Sequence, residues 1–358
     1  MSWTSGEVLW TYVTAIACRK ASFYRHLDRL TRVNEFLGSA WYQREIEIPA
    51  AWKGKRIFLY FERTHWLSSV YVGKEEVSKI DYISIPHNHE LTQWLHPGKK
   101  ELITFCIDNR YQYDTHKWDH AHSEFTQINW NGVLGEIKLV AVDPVYVDDM
   151  QVYPDIKNKS IKVKMTVRNC TEHTASGKIS FHVTGKDYRL QKEVPVTVTD
   201  SITYIEEEMF LGKDIHLWNE FHPNLYTLDC KLTSSVEGQS YAHEKSTTFG
   251  MREVEAGEDH IVLNGEPIHL RGTVENAVFP KTGYAPVDDA SWERVLRILK
   301  EYGMNHMRFH SWCPPAAAFR MADKLGVYLE VEMPMWGKDG RPDEKRWNFF
   351  RRELRGIL

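Results

Sequence analysis

Apolar and polar positions change period repeatedly along residues 289–358. Trp292, Val295, Leu296 and Leu299 recur at i, i+3, i+4 and i+7, so this segment predicts a helix with one apolar stripe. Asp289 suits its N-cap and Gly303 its C′ stop. A strand is expected at 304–309. Pro314 and Pro315 then suit the opening of a second helix, where a missing backbone N–H costs little, and Ala316 to Ala318 favour its first turns. Gly326 ends it, Val327 to Met333 reads as another strand, and a further helix starts at Glu344. Helices alternating with apolar strands predict parallel β/α units.

The faces of these strands differ in polarity. Met307 and Phe309 share one face of 304–310, with His306, Arg308 and His310 on the other. Val327, Leu329, Val331 and Met333 oppose Tyr328, Glu330 and Glu332. Upstream, Ile268 to Thr273 puts His269, Arg271 and Thr273 on one side. An apolar face for helices and a polar face for an interior suit the first part of a (β/α)8 barrel, whose chemistry sits at the C-terminal strand ends. Those ends are Thr273, His310 to Trp312, and Glu332 to Trp336. An ordinary doubly wound sheet is the competing reading.

The period is 2 before residue 250. Tyr42, Arg44, Ile46 and Ile48 alternate with polar neighbours, and Ile57–Phe61, Ser69–Val72 and Leu102–Ile107 are short apolar strands separated by Gly-containing turns. Residues 38–143 therefore read as a jelly-roll sandwich. Ile161, Val163, Met165 and Val167 alternate cleanly, as do Ile179, Phe181 and Val183, and then Tyr226, Leu228, Cys230 and Leu232. Residues 144–250 read as an immunoglobulin-like sandwich, and 251–358 as an incomplete barrel. Residues 1–37 have no clear period. Leu9 to Ala17 is a short apolar run, but Glu7 and the lack of Lys or Arg before it do not suit a signal peptide. This stretch reads as an irregular leader, with a shifted reading frame as the alternative.

Composition narrows the function. A formal net charge of −4 without a basic run argues against nucleic acid. No apolar run reaches the length of a membrane span. Five cysteines form no CxxC pair and no even framework, so neither a disulfide scaffold nor a thiolate metal site is expected. The chain carries 13 Trp, 17 Tyr and 15 Phe, which suits sandwich cores and also sugar stacking.

Local phrases add a resemblance. Ala40 to Glu45 resembles an AWYRR strand, Asn131 to Ile137 a GGIWGDV close, and Leu217-Trp218 with His222 to Leu228 an LW…PNLYTL phrase. Phe249 to Arg252 resembles an FGFR hinge, and Leu263 to Pro267 with Leu270 to Gly272 resembles LNGKPI…LRG. In that order they resemble glycoside hydrolase family 2, the β-galactosidase and β-glucuronidase family. The HSWCPP version (His310 to Pro315) is similar to a subgroup common among polysaccharide-degrading gut bacteria. For that subgroup a periplasmic or extracellular location is favoured.

Two departures stand out. The family's GVNRHE reads Gly272 to Ala277, with Asn276 where a sugar-facing His is usual. The family's RxSHYP reads Arg308 to Cys313, with Ser311 at the His position and His310 one residue earlier. Both put β-galactosidase specificity in doubt more than the reaction type.

The resemblance implies hydrolysis of O-glycosidic bonds at the non-reducing end of β-galactoside- or β-glucuronide-like carbohydrates. Retaining glycosidases need two carboxyl groups about 5–5.5 Å apart. The family takes both from Glu residues after later barrel strands, beyond this chain's end, so no residue here is given a catalytic role and the chain alone is expected to be inactive. Glu330 and Glu332 lie on one face as a pair, but family position makes Glu332 a pocket residue. The implied substrate-binding set is Arg308, His310, Trp312, Glu332, Trp336 and Asn276, with a carbohydrate partner and no cofactor or metal. A non-catalytic carbohydrate-binding protein using the jelly roll is the alternative. Within the loop 115–124, His120, His122 and Glu124 share one extended face. It reads as a metal site, as a solvated loop, or, on the resemblance, as a loop of the first domain reaching toward the pocket. His87 and His89 carry no functional reading.

Overall fold

The computed structural model describes residues 7–9, 14–15, 36–116, 118–122, 130–279, 281–336 and 343–358. Nine strands form an antiparallel sandwich: β1 (Glu7–Leu9), β2 (Thr14–Ala15), β3 (Ser39–Glu47), β4 (Arg56–His65), β5 (Leu67–Val72), β6 (Glu75–Ile80), β7 (His87–Glu90), β8 (Lys100–Asp108) and β9 (Gly132–Val142). One sheet has the order β1-β9-β4-β7, the other β2-β3-β8-β5-β6. The stretch read as an irregular leader thus contributes a short edge strand to each sheet. The rest of 1–35 lies outside the described residues.

Alternation explains this sandwich. Ile46, Ile48, Ile57, Leu59, Phe61, Ile103, Phe105 and Ile107 turn inward and are buried together. Seven further strands make the second sandwich: β10 (Val145–Asp155), β11 (Ser160–Asn169), β12 (Ala175–Gly185), β13 (Tyr188–Val198), β14 (Ile202–Phe210), β15 (Tyr226–Val236) and β16 (Gln239–Phe249). Their orders are β10-β11-β14 and β13-β12-β15-β16. The period-2 residues of β11, β12 and β15 fill one core between these sheets.

A small sheet of β17 (Val254–Ala256), β18 (Ile261–Leu263) and β19 (Glu266–Pro267) leads into the β/α region. There β20 (Gly272–Glu275), β21 (His306–Phe309) and β22 (Tyr328–Val331) pair in parallel in chain order. Helix α1 (Asp289–Glu301) connects the first two strands and α2 (Ala316–Leu325) the last two; α3 (Glu344–Ile357) follows. Trp292, Leu296 and Leu299 of α1 pack with Met307, Phe309 and Ala318 in a separate core. Fully buried Trp292 meets Phe309 edge-on at 5.8 Å, and truncating such a side chain costs about 3–5 kcal/mol. No helix among the described residues is long and apolar enough to cross a membrane.

Two local expectations shift. The N-cap of α1 is Asp288, whose carboxylate accepts the Ser291 N–H at 2.8 Å, while Asp289 pairs with Arg320 across to α2. The first strand starts at Gly272, and its register puts Val274 beside Arg308 and Glu330. Thr273 therefore shares the face of Met307 and Leu329, opposite to the side expected. Pairing register decides which alternate set faces which way, and a strand's own polarity does not reveal it.

Both sandwiches hold the β/α region. The Trp218 indole donates to the Asp323 carbonyl of α2 at 2.7 Å, with the Arg252 guanidinium over its ring. On the other side, α3 packs Phe349 against Trp66 and Tyr113 of the first sandwich. The half-buried Arg63 side chain donates to the Cys313 carbonyl, just before α2.

Candidate functional site

The carboxyl ends of β21 and β22 bring Arg308, His310 and Glu332 together. Arg308 Nε donates to Glu332 Oε1 at 2.6 Å, and its Nη2 also contacts this carboxylate. The second carboxylate oxygen meets His310 Nδ1 at 2.7 Å and accepts the Ser311 N–H at 2.7 Å. Arg308 reaches Glu330 at 3.5 Å, and His306 reaches the same carboxylate at 3.4 Å. Burial alone would raise the Glu332 pKa. Hydrogen bonds from His310, the Ser311 N–H and Arg308 outweigh it, and the carboxyl is held below its ordinary range.

This geometry defines what these carboxylates do. Glu330 and Glu332 share one guanidinium, and Glu332 is ionised and fully engaged. Neither is arranged as a proton donor, so they form an anchor that fixes Arg308 and the His310 ring. Fixing Nδ1 of His310 leaves its Nε2 edge for a ligand. The half-buried Trp336 ring lies 4.8 Å from the His310 ring, with its backbone N–H on the Thr115 carbonyl at 3.2 Å.

The remaining expected residues fare differently. Trp312 is 3% exposed, with its ring edge-on to Phe309 and Phe279 and its indole N–H on the Glu275 carbonyl at 3.2 Å. It is part of the α1–α2 core, and its ring is not a sugar-stacking face. The residue sits where the chain turns inward after Ser311, whose φ is 54°. Asn276 follows β20, beside His310, whose N–H donates to the Glu275 carbonyl at 3.0 Å. Its buried Oδ1 has no hydrogen-bond partner among the described residues.

Glu275 was not singled out by the sequence. Its carboxylate accepts the N–H groups of Ala277 and Val278, both at 2.9 Å, and so closes the turn that carries Asn276. Two acceptor bonds inside a turn leave no trace in spacing.

The histidine loop divides. His120 turns to the strand ends: its backbone N–H donates to Ser311 Oγ at 2.9 Å and its Nδ1 lies 2.8 Å from the same oxygen. Its ring is 5.0 Å from that of His310 and 6.1 Å from that of Trp336. His122 is buried among Trp66, Tyr111 and Asp119 instead. Glu124 lies outside the described residues. Among the described residues no three His, Cys, Asp or Glu side chains gather as a metal site.

Two antiparallel sandwiches followed by a parallel β/α sheet, with a charged cluster at its strand ends, define a multidomain, mainly sandwich-type chain. The family model for glycosyl hydrolases family 2 matches residues 145–252. A β-galactosidase of Thermoanaerobacter pseudethanolicus is 23% identical over 89% of this chain and 42% of its own length. A β-glucuronidase of Paenibacillus borealis is 21% identical over 88% of this chain and 53% of its own. The crystal structure of a Bacteroides uniformis β-glucuronidase superposes with a TM-score of 0.75 at 19% identity, over 94% of this chain and 41% of that one. These matches support membership of glycosyl hydrolase family 2. It spans about half or less of the length of the relatives it matches.

Proposed function

We propose that residues 251–358 are the first part of a (β/α)8 barrel and form the sugar-binding side of a retaining glycosidase site. The substrates are β-galactoside- or β-glucuronide-like carbohydrates, bound at the non-reducing end. The observation that carries this reading is the Arg308–Glu332–His310 network at the carboxyl ends of parallel strands, where such barrels do chemistry. The names of the relatives support the reaction class.

The anchor holds groups that bond sugar hydroxyls, with Trp336 as a neighbouring ring. Retention needs two carboxyl groups about 5–5.5 Å apart, one ionised and one protonated. Glu330 and Glu332, shared on Arg308, do not supply that pair. The chain alone is therefore expected to bind a glycoside without turning it over.

Titration of the purified chain with methyl β-galactoside and methyl β-glucuronide tests this, alongside an aryl-glycoside assay. Binding lost in Arg308→Ala supports the reading. Binding that survives Arg308→Ala assigns the sugar to the first sandwich, the non-catalytic alternative. Turnover above a vector control overturns the division of labour.

A further inference from the structure

We propose that His120, on a loop of the first sandwich, is a substrate-contacting residue that offers its Nε2 to a sugar hydroxyl beside His310. The inference rests on the glycosidase-site reading above and adds a residue from another domain to it.

The argument starts at Ser311. This serine is fully buried with φ 54°, a conformation that turns its side chain away from the path of β21. Its N–H is committed to Glu332. Its Oγ takes the His120 N–H and meets His120 Nδ1, so one hydroxyl grips both the backbone and the ring of a residue 191 positions away. Such a double hold fixes ring orientation as well as loop position. An Ala at 311 would leave the loop without that hold, and a larger side chain would displace it.

The same logic operates on His310, whose Nδ1 is held by Glu332. Two imidazoles thus stand 5.0 Å apart, each held through Nδ1, with the His120 ring also reaching the His310 backbone; Nε2 is the ring nitrogen that the Nδ1 contacts leave over. A hydroxyl can donate and accept at once, so a pair of ring nitrogens suits it. Trp336 lies close to both rings and gives the pair an apolar wall. Burial pushes the His120 pKa down to about 4, with the neighbouring His310 adding to the shift, so His120 is neutral at pH 7. A neutral ring suits an uncharged hydroxyl.

The test separates contact from positioning by amide mimicry. Gln places its terminal amide near the Nε2 position of His, whereas Asn places it near Nδ1. We expect His120→Ala to weaken methyl β-galactoside or methyl β-glucuronide binding about tenfold, a net loss of one well-made hydrogen bond. His120→Gln should recover part of the affinity and His120→Asn little. Recovery by Asn but not Gln, or wild-type affinity in all three, overturns the proposal and leaves the glycosidase-site reading intact. A second readout needs no variant. In the wild-type chain the His120 Nε2 nitrogen resonance should move on ligand addition while those of buried His87 and His243 stay fixed. An unmoved His120 signal at saturating ligand also overturns it. If the wild-type chain binds neither glycoside, the sugar-site reading fails first and this inference falls with it.

Discussion

The Glu353 carboxylate accepts the backbone N–H of Ile83 at 2.9 Å, joining two residues 270 positions apart. Its other oxygen accepts the Ser84 N–H at 3.0 Å. Glu353 is fully buried on α3, so this pairing stitches the β/α region onto the first sandwich. Glu353→Ala leaves two buried N–H groups without acceptors and should cost about 2–4 kcal/mol. Glu353→Gln keeps one acceptor and should cost less. Urea denaturation of the three proteins checks the order, and equal midpoints would refute the stitch.

The ring stack beside it makes a second case. Tyr113 and Phe349 stack at 4.4 Å with planes 15° apart, and Trp66 closes on Phe349 at 5.5 Å. Phe349→Ala should lose about 3–5 kcal/mol. It should also expose α3 selectively, read as faster amide exchange in 344–357 than in α1. Uniform exchange across both helices would mean that α3 does not depend on this contact.

Much of this architecture was legible beforehand, and the exceptions have physical causes. The alternation of Ile161, Val163, Met165 and Val167 is set by burying one strand face, and all four are buried. The stripe Trp292, Leu296 and Leu299 is equally local, and all three face the core. Arg308, His310 and Glu332 were legible because parallel strands collect their ends on one side. Three facts were not. Asp288 and Asp289 are equivalent candidates for a cap, and only backbone geometry chooses. The Thr273 face depends on a register shared with a strand more than thirty residues on. Trp312 goes into the core because Ser311 turns the chain. Contacts between distant segments have no period to read.

Two helix-ending glycines give a comparison at equal φ. Gly303 (75°) has open space where a Cβ would sit, whereas at Gly326 (72°) a Cβ would lie 2.6 Å from the Glu220 carbonyl oxygen. Gly303→Ala should cost about 1 kcal/mol, the left-handed penalty alone. Gly326→Ala must also push α2 away from the second sandwich and should cost clearly more. Thermal unfolding decides, and equal losses would show that the Glu220 loop yields freely.

A buried relay in the first sandwich predicts acid sensitivity. His87 Nε2 faces the Tyr82 carbonyl at 2.8 Å and can only donate there, so its Nδ1 accepts from Ser68 Oγ at 2.6 Å. Ser68 Oγ then accepts from His89 Nε2 at 2.8 Å, and His89 Nδ1 accepts from Ser78 Oγ at 2.8 Å. This arrangement places each proton with both rings neutral. Burial pushes the His87 pKa down to about 4 and that of His89 to about 3. In the unfolded chain both titrate near 6.5, so the unfolded state binds more protons from about pH 6.5 down to about 4. Stability is therefore full above pH 6.5 and falls as pH drops, by about 2 kcal/mol per ring at pH 5. His120 and His243, each pushed to about 4, add loss in the same window. Urea midpoints at pH 7 and pH 5 should differ accordingly, and His89→Gln should shrink the difference. A midpoint that is flat between these pH values would mean that the relay accepts protons in the folded state.

The last prediction concerns the anchor. Arg308 presents Nε and Nη2 to one carboxylate, a planar fork that a lysine ammonium cannot reproduce. Arg308→Lys keeps the charge but frees Glu332 to turn, and with it the His310 ring held at 2.7 Å. Side-chain exposure of 39% for Arg308 makes the stability cost small, about 1 kcal/mol or less. Glycoside binding should suffer more, about tenfold, because ring orientation is lost. Glu332→Gln should behave alike. Against its burial, the bonds from His310, the Ser311 N–H and Arg308 hold its carboxyl below the ordinary range, so the wild-type anchor is ionised at neutral pH. A Lys variant that binds like wild type would show that Glu332 does not orient the site. A large drop in melting temperature with unchanged affinity would make the network a structural brace alone.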